Sequence, residues 1–313
     1  MAHYLDPKND LTFKRVFGEH KHLCMSLINS MIPLKKPIVS IEYQTGELVP
    51  VLTGILKNTV VDVRCTDADG RQFLVEMQLN WDSSFKSRVL FNASKAYVMN
   101  VEKGQKITLL KPVYALNFVN DTFEKSKKKQ DVYFHHYKIV NIEDTQKQIK
   151  GLEFLFVELP KFKPQNRAEK MLHELWLRFM TEINDETEKV PDELLKHEHI
   201  REAVGYMKRS AYTKEELDRY YQWKVNAWSS AAMLENAEAK GKEIGKEIGR
   251  AEEREKAEKE IAEKDNTIAE QANALQKAHQ AQIKTAQTLL SFGMSVEQIV
   301  QATGLTPDEI NKI

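Results

Sequence analysis

The chain has 313 residues, with 46 basic and 46 acidic side chains giving a formal net charge of zero, and apolar residues make up 42% of it. That length buries a sizeable core without disulfide or metal staples, and the 12 Gly and 9 Pro are too few for a fibrous repeat or a disordered chain. No window approaches the roughly 18 uninterrupted apolar residues of a membrane span, and Met1 to Lys8 lacks the basic start and apolar centre of a signal peptide, so a cytoplasmic protein is expected.

Cys24 and Cys65 have no CxxC or zinc-type spacing and read as reduced core residues. The neutral total hides an asymmetry: residues 1–150 hold six more cations than anions, and the remainder the reverse. Such a basic first part suits a polyanion but is also ordinary for a soluble domain.

After the turn-prone Asp6 to Asp10, apolar residues from Leu11 to Met31 recur at three- and four-residue steps, which predicts an amphipathic helix bent near Gly18 and ending before Pro33. The period then changes to that of strands at Ile38–Tyr43, Thr59–Thr66 and Gln72–Leu79. Asp69-Gly70 between the last two supplies the positive-φ residue of a tight hairpin. A helix is predicted over Phe85–Val101, opened by capping groups in Trp81 to Ser84. Strands follow at Val113–Val119, Val132–Val140 and Leu152–Leu159, with the basic Lys127 to Lys129 between the first two.

Beyond Pro164 the periodicity is helical, with Met171, Leu172, Leu175, Trp176, Phe179 and Met180 in one stripe and further helices expected over 192–208 and 213–234. Glu235 to Gln287 is rich in Ala, Glu, Lys and Gln and predicts one long, exposed helix. Ile261, Ile268 and Leu275 recur every seven residues, but the second seam position is polar or Ala, so a coiled coil and a solvated single helix both remain open. Ala286 to Ile313 has the outline of a helix-turn-helix, with Ser295 and Thr306 as N-caps. Asp308-Glu309 stands where a DNA-reading helix needs basic or amide groups, which favours a packing or oligomerisation module.

The main chemical signal is Asp62 on one strand and Glu76-Met77-Gln78 on its hairpin partner. Alternation puts Glu76 and Gln78 on one face, and antiparallel pairing brings Asp62 alongside. Both acids lie in strongly apolar strands, where an unpaired carboxylate is costly, and a hard divalent cation is the natural partner of such a pair. Two carboxylates holding magnesium suit phosphodiester cleavage, with Gln78 orienting water or phosphate. The same spacing is also met by ion pairs to Arg64 or Arg71, or by exposure at a sheet edge. His135-His136, adjacent on a strand, and His197 and His199, about 200° apart on a helix, make no metal clamp.

In order along the chain, Asp10 to Gly18, Lys57, Asp62, Asp69-Gly70, Glu76-Met77-Gln78, Arg88, Tyr97, Gly104, Glu158 to Phe162 and Trp176 resemble the recombination-promoting nuclease/transposase family of the PD-(D/E)XK nuclease superfamily, over about residues 5 to 235. The resemblance implies a restriction-endonuclease-like αβββαβ core of α/β class with a mixed sheet, and the helical periodicity and composition beyond it add an all-helical C-terminal region with a long polar helix. It implies DNA cleavage with Mg2+, for which Mn2+ is a possible substitute, Asp62 and Glu76 as metal ligands, and Gln78 in place of the superfamily's usual Lys. Asp10 takes the position of a first-helix acid that joins the metal site in related nucleases, or caps its helix. Lys14, Arg88 and Lys95 are candidates for DNA phosphates, or solvated helix charges.

The domains expected are a nuclease-like domain over 1–165, a helical region over 166–234, the long helix over 235–287 and a small helix-turn-helix-like module over 288–313. The expected partners are DNA and a second copy of the chain, joined through the C-terminal helices. A nucleic-acid-binding protein of the same fold without turnover is the rival reading, because an amide cannot supply the positive charge of a lysine. A third reading makes the long helix and terminal module the working part of an assembly scaffold.

Overall fold

A computed structural model of the chain describes residues 3–45, 47–48, 59–99, 110–164 and 171–313. Lys57, Gly104 and the expected end of the third helix at Val101 lie outside the described residues. The chain divides into two compact units, Met1–Ala232 and Met233–Ile313.

In the first unit the opening helix is broken as its sequence suggested. Helix α1 (Asp10–Phe13) runs into a π-helical turn over Lys14–Gly18, and α2 (Lys21–Met31) resumes after it. Strands β1 (Ile41–Gln44), β4 (Val63–Asp67) and β5 (Gln72–Gln78) pair antiparallel in that order. Two short strands, β2 (Glu47–Leu48) and β3 (Thr59–Val60), form a separate ladder. The single strand expected over Thr59–Thr66 is therefore interrupted at Val61 and Asp62. Helix α3 (Phe85–Met99) then leads to β6 (Val113–Val119), which lies parallel to β5. Strand β7 (Phe134–Val140) forms the edge beside β8 (Gln148–Glu158), and the sheet order is β1-β4-β5-β6-β8-β7.

The period of two along β5 divides the core between the faces of the sheet. Phe73 and Val75 pack with Phe13, Phe17, Leu27 and Trp176 on one side, and Leu74 packs with Phe85, Val89, Ala96 and Phe156 on the α3 side. Each buried Val, Leu or Phe among these contributes roughly 1.5–3 kcal/mol. Glu76 and Gln78 continue the Leu74 series, so they face α3. The hairpin is closed by Gly70 at φ 78°, the left-handed conformation expected of it, and by Asp67, whose carboxylate accepts the Arg71 amide at 2.8 Å and meets Arg71 Nε at 2.6 Å.

The stretch Glu158 to Phe162, one of those that carry the family resemblance, has a structural job. The Glu158 carboxylate is fully buried and compensated by His135 Nε2 at 2.7 Å, Lys161 Nζ at 2.9 Å and the Phe123 amide at 2.9 Å. His136 instead meets Glu153 at 2.7 Å, so the two adjacent histidines do face opposite ways.

Helix α4 (Leu172–Glu182) buries Trp176, whose Nε1 donates to Ser26 Oγ at 3.2 Å. The helix expected over 192–208 is two, α5 (Asp192–Lys196) and α6 (Glu198–Tyr206), separated at His197. His197 is an extended N-cap residue rather than a helical one, so its ring lies 5.4 Å from that of His199 instead of diverging from it. The segments expected as separate helices over 213–234 and 235–287 belong to one helix, α7 (Lys214–Ser291). Its first turns are held to the first unit by Tyr220, whose buried hydroxyl accepts from the Asp6 amide at 2.9 Å and donates to Asp185 at 2.8 Å.

In the second unit the last turns of α7 pack with α8 (Val296–Thr303) and α9 (Pro307–Ile310) around Ala286, Ile299, Leu305 and Ile310. Ser295 and Thr306 cap α8 and α9 in reciprocal capping boxes with Gln298 and Glu309, and Gly304, at φ 73°, ends α8.

Candidate functional site

Asp62 sits in the break between β3 and β4. The pairing of β4 with β5 has Val63 opposite Val75, so one further step along the same register sets Asp62 opposite Glu76. There the ladder stops, and the Asp62 carboxylate takes over the missing contact: its Oδ2 accepts the backbone amide of Met77 at 2.7 Å. The break thus fixes the acid against its hairpin partner. Asp62 and Glu76 lie near the carboxyl ends of the parallel β5 and β6, where open α/β sheets leave a crevice for ligands.

The ion pairs that competed with this reading are absent from the site. Arg71 engages Asp67 and Asp69, and Arg64 donates to Gln72 at 3.2 Å. Among the described residues the cation nearest Asp62 is Lys14, whose Nζ stands 3.8 Å from its Oδ1 and 2.6 Å from Asp10 Oδ1. Asp10 is not the helix cap, because Asn9 is: its side-chain oxygen accepts the Leu11 amide at 2.9 Å. Asp10 instead sits in the first turn of α1, with its charge turned toward Asp62.

Burial pushes the Asp62 carboxyl up to about 6, against the Met77 amide and Lys14, which lower it, while the charge of Asp10 raises it further. Burial pushes Glu76 up to about 7, and the charge of Asp62 adds to this. Asn92 Nδ2 on α3 donates to Glu76 Oε1 at 3.2 Å, and Asn92 Oδ1 is buried without a hydrogen-bond partner. Desolvated carboxylates that repel each other form a pair of oxygen donors with excess negative charge. That pair fits a hard divalent cation. Among the described residues no three His, Cys, Asp or Glu side chains are arranged to hold an ion by themselves. Magnesium bound through one or two carboxylates, with water and phosphate completing its shell, needs no third.

Gln78 is held on both sides of its amide. Its Nε2 donates to the Asn80 carbonyl at 2.6 Å, and its Oε1 accepts from Arg88 Nη2 at 2.9 Å. Arg88 also reaches Asp82 Oδ2 at 3.5 Å and covers the Phe85 ring at 4.9 Å. Arg88, Asn92 and Lys95 follow the spacing of one helix face, and that face meets Glu76 and Gln78. Lys95 is buried, with its ammonium 5.2 Å from the Phe91 ring, so of the three candidate cations it presents least surface to a phosphate. The sequence reading singled out Arg88 and passed over Asn92, although the four-residue step between them was the available signal. It also passed over Trp223 and Asn226 on α7, which with Asp10, Met77 and Gln78 line a cleft of about 340 Å³.

No helix among the described residues is long and apolar enough to cross a membrane. No curated protein and no solved structure matches the chain. Residues 7–237 match the profile of the PD-(D/E)XK nuclease family transposases, and residues 279–313 match the C-terminal HTH domain of the Rpn/YhgA-like nuclease family. A mixed sheet with its paired acids at the end of a β-hairpin, continued by a helical C-terminal region, agrees with both matches: the chain belongs to the PD-(D/E)XK nuclease family transposases and carries an Rpn/YhgA-like C-terminal HTH domain.

Proposed function

We propose that the chain is a magnesium-dependent DNA endonuclease with a recombination-related role, acting on DNA in the cytoplasm. The observation that carries this is the pairing of Asp62 and Glu76, both raised by burial and facing each other across the end of one hairpin. These two residues would hold the ion, with Asp10 beside them and Mn2+ as a workable substitute. When bound, the ion supplies an activated water and neutralises charge developing on the phosphoryl oxygens. Lys14 steadies Asp10 and Asp62 and adds positive charge at the mouth of the site. Gln78 anchors the guanidinium of Arg88 beside Glu76, and that fixed charge takes the part that a lysine plays elsewhere in the superfamily.

Supercoiled-plasmid nicking by the purified chain tests this. Activity should need magnesium or manganese and fall by at least about a hundredfold in Asp62→Ala and Glu76→Ala, the scale of losing a principal electrostatic element of a catalytic site. Equal activity in wild type and both variants sinks the assignment. Plasmid binding with no metal-dependent nicking favours instead a nucleic-acid-binding protein of the same fold, the reading that Gln78 supports.

A two-fold pair of protomers addresses both strands of a duplex, and α7 offers a surface for it. Ile244, Ile248, Ile261, Ile268 and Leu275 are 56%, 55%, 59%, 62% and 75% exposed in the single chain, a thin apolar stripe on the Ala-, Glu- and Lys-rich part of the helix, in which Ile261, Ile268 and Leu275 are the three that recur every seven residues. So narrow a stripe buries little area, and the dimer we expect is weak, about micromolar or poorer. Sedimentation should show association that rises with concentration and is lost when all three residues become Lys. A dimer indifferent to that change, or a strict monomer at tens of micromolar, counts against it.

A further inference from the structure

Helix α7 presents Trp223, Asn226, Ala227 and Ser230 to the cleft beside the paired acids, and those positions fall at the three- and four-residue steps of one helix face. This face is not loosely placed. One turn earlier Tyr220 is buried and bonded to Asp6 and Asp185, Lys224 pairs with Asp185, and Glu216 meets Arg15 at 3.4 Å, so the segment bearing Trp223 is tied to the body of the first unit at several points. Across the cleft stand Asp10 of α1, Met77 and Gln78 at the carboxyl end of the strand that carries Glu76, and Leu79 and Asn80 just beyond it.

The chemistry of this wall differs from that of the rest of the site. It bears no charge of either sign, so it neither attracts nor repels a phosphate. What it offers is the half-buried indole of Trp223, with Asn226 and Ser230 as polar neighbours along the same helix face. An indole face is a platform for a nucleobase, and every base has a matching π-face. Within a duplex those faces are already stacked on their neighbours, and a base reaches such a platform only when it is unpaired or turned out. The cleft, at about 340 Å³, is near the lower limit of ligand clefts and has room for about one nucleotide beside the helix face.

We infer that Trp223 stacks on an unpaired base next to the scissile phosphate, the one that an ion held by Asp62 and Glu76 would meet, so that the site prefers DNA with a gap, flap or turned-out nucleotide to a continuous duplex. The inference rests on the endonuclease reading for its substrate, and it adds a residue and a specificity to it. The energy comes from stacking and not from counterion release, so the preference for unpaired DNA should persist as salt is raised while overall affinity falls.

The test measures binding of the full chain, in EDTA, to fluorescein-labelled DNA that is either fully paired or carries a short gap, by anisotropy at low and moderate salt. The wild type should bind the gapped DNA about tenfold more tightly, the scale of one base–aromatic stack. Trp223→Leu, which keeps apolar bulk but no ring, should remove that preference and leave binding to the paired duplex within about twofold, whereas Trp223→Phe should retain most of it. An equal loss on both DNAs, or an unchanged ratio in Trp223→Leu, overturns the inference.

Plasmid nicking in magnesium separates this from the parent reading. Nicking that depends on Asp62, together with an unaltered gap preference in Trp223→Leu, rejects the wall and leaves the nuclease standing. Absence of nicking, together with a gap preference that Trp223→Leu removes, keeps the wall and rejects the nuclease.

Discussion

Glu76→Gln should make the metal-free protein more stable at pH 8, not less, and at the same time abolish its response to magnesium. The Glu76 carboxyl sits at about 7 in the folded chain against an ordinary 4.5, held up by burial and then by the charge of Asp62. A raised carboxylate stabilises the fold only while it keeps its proton. Below about pH 4.5 folded and unfolded chains both carry that proton, and Glu76 costs nothing. Between 4.5 and 7 the unfolded chain releases it while the folded chain retains it, so stability falls as pH rises, and above 7 the full penalty of a buried anion is in place. The difference corresponds to about 3 kcal/mol as an upper figure.

Gln at position 76 retains an oxygen for the Asn92 amide while removing the charge, so the melting midpoint in EDTA should rise by several degrees at pH 8 and change little at pH 5. Magnesium should raise the midpoint of the wild type more at pH 8 than at pH 5.5, because ion and proton compete for the same oxygens. It should leave Glu76→Gln unmoved. Differential scanning fluorimetry across this range checks both parts, and a variant less stable than wild type at pH 8 would refute the account of Glu76 as a buried charge that Asn92 and Arg88 only partly compensate.

That destabilising pair was legible in the sequence because isolated acids in apolar strands announce their own cost. Asp62 among valines and Glu76 between Val75 and Met77 could be singled out from composition alone, and Asp69-Gly70 then gave the hairpin that sets them opposite each other. Strand Val113–Val119 was legible to the residue for the same reason: a short apolar run buried on both faces has sharp ends. What was not legible depended on contacts distant in sequence or on one residue's dihedral angles. The interruption at Val61 and Asp62 breaks no propensity rule, since Val-Val-Asp-Val reads as strand throughout, and it exists because β3 pairs with β2 and not with β5. His197 leaves the helical path at a single position, which periodicity cannot register. Asn9 and Asp10 are both competent N-caps, and only the observed geometry selects between them. The wall formed by Trp223 and Asn226 depends on where Tyr220 anchors α7, through a hydrogen bond spanning more than two hundred residues.

Arg88 carries the second large prediction, because it answers the question that Gln78 raises. A superfamily site with Gln in place of Lys lacks a cation on the strand, yet the amide of Gln78 accepts a guanidinium N–H at 2.9 Å, and the charge of Arg88 lowers the Glu76 carboxyl against burial. In the function proposed, the cation stands on the helix instead of the strand, and Asp82 and the ring of Phe85 contact it there. Arginine keeps its charge at any accessible pH, so partial desolvation costs free energy without removing the cation.

If Arg88 serves the developing phosphoryl charge, Arg88→Gln should lower kcat by about a hundred- to a thousandfold while KM and plasmid affinity shift by less than about threefold. If it is only a phosphate clamp, affinity should fall instead, with the slope of log affinity on log salt reduced by about one, and kcat should hardly change. Gln78→Lys in the wild-type background brings two cations together and should impair activity, whereas Gln78→Lys combined with Arg88→Gln returns the charge to the strand and should recover part of the loss. Independent losses for the two changes would show that Gln78 and Arg88 do not act as a unit.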